Sequence, residues 1–233
     1  MDLYPLTLGI ARVPGSPLTL SGTPQASGLL PDVRQKILER DKHTCRFCGF
    51  TSQKYQEVHV LNGNTADTSA NNLLAACIFC HQCFDLEKTS QMKSGVLVWL
   101  PEISQADLHH IARAIYVARI SQGTMAETAK NAYETLISRR EEAKNRIGTD
   151  DPYILATVMR DFLTPRHYAM RDKKLEGMRL FPLDRRIIKE GDLEFNQFPQ
   201  ILAYWRSKDG PFGGKVPHQW KTLYAQFLQD QAA

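Results

Sequence analysis

Outside residues 45–83 this chain has no cysteine. It also has no apolar run long enough to cross a membrane: the longest, Leu73–Cys80, has eight residues, where a spanning helix needs about 20. The N-terminus lacks a basic segment followed by an apolar one. Pro5, Pro14 and Pro17 interrupt it early, so no secretory signal is expected. Neither sign of charge dominates, since 29 Lys and Arg face 25 Asp and Glu, a net of +4. There are no internal repeats and no low-complexity tract. These absences exclude a fibre, a disordered tail, a disulfide miniprotein and a helical membrane protein. A globular chain of 233 residues remains, enough for one large domain or two small ones.

The cysteines that are present, Cys45, Cys48, Cys77, Cys80 and Cys83, form an odd, clustered set. Without a signal segment, that pattern points to a metal site in a reducing compartment, and so to the cytoplasm. Cys45-Arg-Phe-Cys48 and Cys77-Ile-Phe-Cys80 are two C-x-x-C turns separated by 28 residues. Each turn aims two thiolates at one ion, and two turns complete a tetrahedral four-sulfur shell. Thiolate softness favours zinc over magnesium or calcium, and a closed shell makes the ion structural. Iron–sulfur ligation uses the same donors and stays chemically open. Gly49 lets the chain turn tightly after Cys48. Cys83 forms a third C-x-x-C turn with Cys80, either as a competing ligand or as a small buried residue. His81 offers an alternative shell.

Composition shifts near residue 100. Upstream, Leu3–Ala11, 56–61 and Val96–Leu100 read as short strands, and Leu30–Arg40 as a short helix. Downstream, Ser104-Gln-Ala-Asp107 and Thr124-Met-Ala-Glu127 have the form of capping boxes. The second box opens a helix expected to run to Arg146, stopped by Gly148. Asp151-Pro152 starts another, and two more are expected at Gln200–Arg206 and His218–Leu228. The expected fold is α+β, with a zinc-bound module over 1–100 packed against a mostly helical region over 101–233.

The stretch from Arg40 to Cys83 resembles the HNH endonuclease (ββα-metal) superfamily. The pieces are Arg40-Asp41, Cys45-x-x-Cys48-Gly49, Glu57-Val58-His59-Val60-Leu61, Asn72-Leu73 and Cys77-x-x-Cys80-His81, in that order. The resemblance implies a strand–strand–helix core. It places His59 where active members carry a metal-binding Asp, and Val60 where they carry the general-base His. Valine accepts no proton. His59 is one residue out of register, on the opposite face of a strand. The resemblance therefore implies a degenerate nuclease. A rival reading keeps His59 as base through a shifted strand.

Further matches extend this likeness: Thr44–Phe50, Lys54-Tyr-Gln56, Val60–Gly63, Asn72–Cys77, Phe79–Phe84 and Leu100–Leu108. Over about residues 30–120 the chain resembles a family of subunits of the Dot/Icm type IVB secretion machinery. That resemblance implies a cytoplasmic, non-enzymatic adaptor with one structural zinc ion on Cys45, Cys48, Cys77 and Cys80. It implies binding to the C-terminal extension of the coupling ATPase at the inner membrane, beside the adaptors that recruit effectors.

Residues 171–189 hold seven basic and three acidic side chains. They read as a solvated helix face, or as a surface for nucleic acid, anionic lipid or an acidic partner. The modest net charge argues against a zinc-finger-like nucleic-acid binder. Tyr55, Trp99, Tyr204, Trp205 and Trp220 read as core. Asn72 reads as a cap or turn residue, and His109 and His110, adjacent on a helix, as ordinary positions.

Overall fold

The structure is a computed structural model that describes residues 3–11, 31–64 and 66–232. Helix α1, Pro31–Arg40, has Asp32 in its first turn and Arg40 in its last, which suits the helix dipole. It buries Ile37 and Leu38 against a hairpin of strands β1, Gln56–Val60, and β2, Leu73–Cys77. The hairpin is antiparallel, with Gln56 opposite Cys77 and Val60 opposite Leu73. Helix α2, Ile78–Cys83, follows β2 directly, and α3, Leu86–Gln91, follows α2. The order along this stretch is strand, strand, helix.

Strand β3, Gly95–Trp99, pairs antiparallel with β4, Met178–Pro182. Between them lie α4, Gln105–Arg119; α5, Thr124–Ser138; α6, Arg140–Ile147; α7, Pro152–Asp161; α8, Pro165–Ala169; and α9, Arg171–Lys174. A small hairpin of β5, Ile187–Glu190, and β6, Leu193–Asn196, precedes α10, Phe198–Arg206, and α11, Trp220–Ala232. The whole is α+β, with two-stranded sheets among helices. The β3–β4 pair crosses residue 100. One apolar core joins Cys45, Phe47, Cys77 and Phe79 to Leu108, Ala112 and Tyr116 of α4 and to Ile201 and Trp205 of α10. Among the described residues no helix is long and apolar enough to cross a membrane.

Side-chain capping explains several of the helix starts. Ser104 accepts the Asp107 N–H, and Asp151 accepts the Tyr153 N–H ahead of Pro152. Several local expectations are corrected. Thr124 is the first helical residue and Gly123 is the cap, so no side chain caps α5. The long helix expected from Thr124 breaks at Arg139. There the Arg139 carbonyl accepts the Trp99 N–H and the Arg139 Nε donates to the Trp99 carbonyl, which covers the free edge of β3. Leu97 N–H finds the Asp150 carbonyl on the same edge. Leu3–Ala11 is not a strand. Its backbone bonds are scattered: Tyr4 N–H donates to the Arg46 carbonyl, Gly9 N–H to the Cys83 carbonyl, and Leu86 N–H to the Gly9 carbonyl.

The basic stretch 171–189 is not one helix face. Arg171 bonds the Leu8 carbonyl, Arg179 bonds the Ile103 carbonyl, and Arg186 is buried against Gln197. Lys173 and Lys174 are exposed.

Gly177 joins α9 to β4 at φ +84°, and a Cβ there would lie 2.4 Å from the Trp99 ring. Gly177→Ala should therefore lower the unfolding free energy by about 1–3 kcal/mol in urea titrations, with unchanged slope.

Candidate metal centre

The first cysteine pair sits in a tight knuckle. Thr44 and Thr51 form an isolated antiparallel bridge, Cys45 N–H donates to the Phe50 carbonyl, and Gly49 N–H donates to the Cys45 carbonyl. Gly49 closes the turn at φ +75°, where a side chain would be strained. Arg46 N–H then bonds the Ala75 carbonyl, fastening the knuckle to β2. Asp41 reinforces that joint from beneath. Its buried carboxylate accepts the Ala75 N–H at 2.9 Å and a fork from Arg40 at 2.9 and 2.8 Å. Burial alone would raise the Asp41 pKa, but Arg40, the Ala75 N–H and Arg46 together hold it below the usual carboxylate range.

The second pair comes from the junction of β2 and α2. Cys77 is the N-cap of α2, and its sulfur accepts the Cys80 N–H at 3.4 Å. A C-x-x-C turn at a helix start thus gives one sulfur an otherwise orphaned backbone donor. The four sulfurs of Cys45, Cys48, Cys77 and Cys80 lie within 4.8 Å of one another, all buried and none in a disulfide. Cys48 Sγ and Cys77 Sγ are 3.8 Å apart. A tetrahedron with metal–sulfur bonds of about 2.3 Å has edges of about 3.8 Å, so the donor set fits one ion.

Electrostatics favour the same conclusion. Hydrogen bonds from Cys45, Cys77 and Cys80 hold the Cys48 thiol far below its ordinary range. Burial, with the neighbouring thiols, pushes Cys77 and Cys80 well above theirs. Cys45 is also held below its ordinary range, so protein groups alone split the four sulfurs, favouring charge on Cys45 and Cys48 and opposing it on Cys77 and Cys80. A divalent cation would relieve that conflict and keep all four as thiolates.

Helix α4 supplies the partners. Arg113 Nη2 donates to Cys77 Sγ at 2.7 Å and lies 3.9 Å from Cys48 Sγ. Its guanidinium is 1 % exposed and packs against the rings of Phe50 and Phe79, 4.0 and 5.0 Å from their centroids. Burial opposes the Arg113 charge, but attraction to Cys77, Cys48, Cys80 and Cys45 outweighs it and raises the pKa. His110 Nε2 lies 2.7 Å from the Cys48 carbonyl, and hydrogen bonding to Cys48 raises its pKa. His109 Nδ1 lies 3.3 Å from Cys80 Sγ.

Cys83 is outside the cluster. Its thiol faces the Phe79 carbonyl at 3.7 Å, and burial pushes its pKa up. His81 turns the other way, toward His59, with ring centroids 5.8 Å apart. Asn72 organises the loop after β1: it accepts the Asn62 N–H and donates to the Asp67 carbonyl. The reading of His109 and His110 as ordinary helix positions is corrected, because both meet the cysteine turns from two adjacent faces of α4. Gln105, His109 and Arg113 recur every four residues between the apolar Leu108, Ala112 and Tyr116. That polar stripe on a buried face was the available signal.

Removing Arg113 would leave buried sulfur charge uncompensated. Arg113→Leu should destabilise the protein by about 3–5 kcal/mol in denaturant titrations. Arg113→Lys should not restore it, because an ammonium cannot replace the planar group between two rings.

No protein-family model matches the chain. Over 152 residues, covering 64 % of this chain and 71 % of the relative, it is 34 % identical to the type 4 apparatus protein DotN of Legionella pneumophila subsp. pneumophila, strain Philadelphia 1.

Proposed function

The chain belongs to the family of the type 4 apparatus protein DotN, and on that premise we propose that it is a non-catalytic adaptor of a type IVB secretion coupling complex. In this reading it binds the C-terminal extension of the coupling ATPase on the cytoplasmic face of the inner membrane. It contacts effector-recruiting adaptors through that assembly. Its Cys45, Cys48, Cys77 and Cys80 hold one structural zinc ion. Four thiolates in a closed tetrahedral shell suit zinc and leave no position for a reacting water.

The placement of Val60 carries the scaffold reading. Val60 is buried with Ile37, Leu38 and Val58 under α1, on the face of β1 opposite His59. His59 lies on the other face, stacked on Phe84 at 4.0 Å between centroids. Burial, then the neighbouring His81, pulls its pKa down to about 3. His81 is likewise drawn to about 3, by burial and then by Lys88, Arg186 and Arg34. Glu57, the carboxylate on that face, lies 3.7 Å from Arg34 and 3.6 Å from Arg186. A divalent ion here would meet three cations, Lys88, Arg34 and Arg186, the last two already paired with Glu57. A hydrolytic metal site needs the opposite field.

The adaptor reading also draws support from the surface. Ile154 and Val158 on α7 and Phe162 at its C-cap are 49 %, 42 % and 76 % exposed, spaced by four residues. Assembly subunits bury such faces against partners.

Purified protein should bind the coupling ATPase extension in a pull-down and should not nick supercoiled plasmid with magnesium or manganese. Metal-dependent nicking abolished by His59→Ala would replace this reading with the nuclease one. Absence of any association would remove the adaptor assignment. Elemental analysis should give one zinc per chain. Cys48→Ser and Cys77→Ser should each lose it and melt at lower temperature, because metal binding is folding energy here.

A further inference from the structure

Leu180, in the middle of β4, turns both its peptide groups away from β3. Without a third strand they would be orphaned in the core. The side chain of Gln105, buried at 8 % exposure on α4, meets both. Its Oε1 accepts the Leu180 N–H at 2.8 Å and its Nε2 donates to the Leu180 carbonyl at 2.8 Å. This pair of hydrogen bonds allows only one orientation of the amide, since the flipped one would set NH2 against N–H and oxygen against oxygen.

The second hydrogen on Gln105 Nε2 points at His109 Nε2, 2.9 Å away. His109 is fully buried, one helical turn along α4. Because Gln105 must donate there, His109 Nε2 must accept. A neutral imidazole then carries its proton on Nδ1. Nδ1 lies 3.3 Å from Cys80 Sγ. The hydrogen bond therefore runs from His109 to Cys80, and the sulfur must be an acceptor.

We infer that Gln105 and His109 are positioning residues of the metal centre: Gln105, held by the β4 backbone, fixes the His109 tautomer, and His109 donates an N–H···S bond that holds the Cys80 thiolate for its ion. The inference rests on the four-cysteine metal reading and adds what that reading lacks, a link from strand β4 to one ligand. Cys77 has Arg113 and the Cys80 N–H as donors, and His109 is the corresponding side-chain donor for Cys80. Groups that orient metal ligands in this way are worth 10–100-fold in metal affinity.

Gln105→Glu tests the relay with little change of shape. A carboxylate accepts from Leu180 N–H but cannot donate to His109. His109 should then move its proton to Nε2 and present a bare Nδ1 to Cys80. Long-range 1H–15N spectra of the intact zinc-loaded chain should show His109 as the Nδ1–H tautomer in wild type and the Nε2–H tautomer in Gln105→Glu. Zinc transfer to a chromophoric chelator should become 10–100-fold faster in Gln105→Glu and in His109→Phe, which fills the imidazole site. The double variant should be no faster than His109→Phe alone, since Gln105 acts through His109. An Nε2–H tautomer in wild type, additive effects, or wild-type transfer rates in both variants would overturn the inference while one zinc per chain remains bound. Wild-type protein without bound zinc would instead overturn the metal reading itself. Circular dichroism of each variant separates loss of the relay from loss of the fold.

Discussion

The contact on which the cysteine-rich half depends is the Arg113 guanidinium against the Cys77 sulfur, 2.7 Å away. As thiolates, four buried sulfurs within 4.8 Å of one another would concentrate negative charge where water cannot screen it. Arg113 supplies a permanent positive charge from another helix, and Phe50 and Phe79 hold its plane in place. The arrangement leaves Arg113 Nε and Nη1 without hydrogen-bond partners. Such an expensive cation is sustained only if the charge beside it is also permanent. This is the physical reason to treat the sulfurs as thiolates around an ion and not as thiols packed for their volume.

The same constraint explains how the core is shared. Arg113 lies on α4, so charge compensation at the cysteine turns requires that helix to dock. Docking brings Leu108, Ala112 and Tyr116 into the same core as Cys77 and Phe79. Strand β3 lies beneath, closed on one edge by β4 and on the other by the carbonyls of Arg139 and Asp150. The main core therefore draws on both portions of the chain.

Much of this was legible in the sequence, and the limits are physical. The paired C-x-x-C spacing named the four clustered sulfurs because each turn determines its own geometry. Ser104 and Asp151 announced their helices because caps are local. Val60 could be set against His59 from strand alternation alone. The misses depended on partners distant in sequence. Nothing near Arg139 foretold a break, which comes from an edge of β3 about 40 residues earlier. The 171–189 stretch reads as one charged run, but its arginines bond to carbonyls at residues 8 and 103. The sequence hides the roles of His109 and His110, because adjacency on a helix rules out one shared ion. It does not rule out two separate contacts on the same cluster.

Strand β4 has a temporal consequence as well. The cysteine ligands end at residue 80, whereas Leu180 is made 100 residues later. At ribosomal speeds of about 5–20 residues per second, that gap is roughly 5–20 s. During it the two turns and their helix can gather around an ion, but Gln105 has no strand to hold it and His109 no fixed tautomer. On the metal reading, an ion captured then still exchanges with free ions in solution. Arrival of β4 closes the β3 sheet, sets the amide and retires the exchange. The last strand to be synthesised in the core thus acts as a latch on the first site to form.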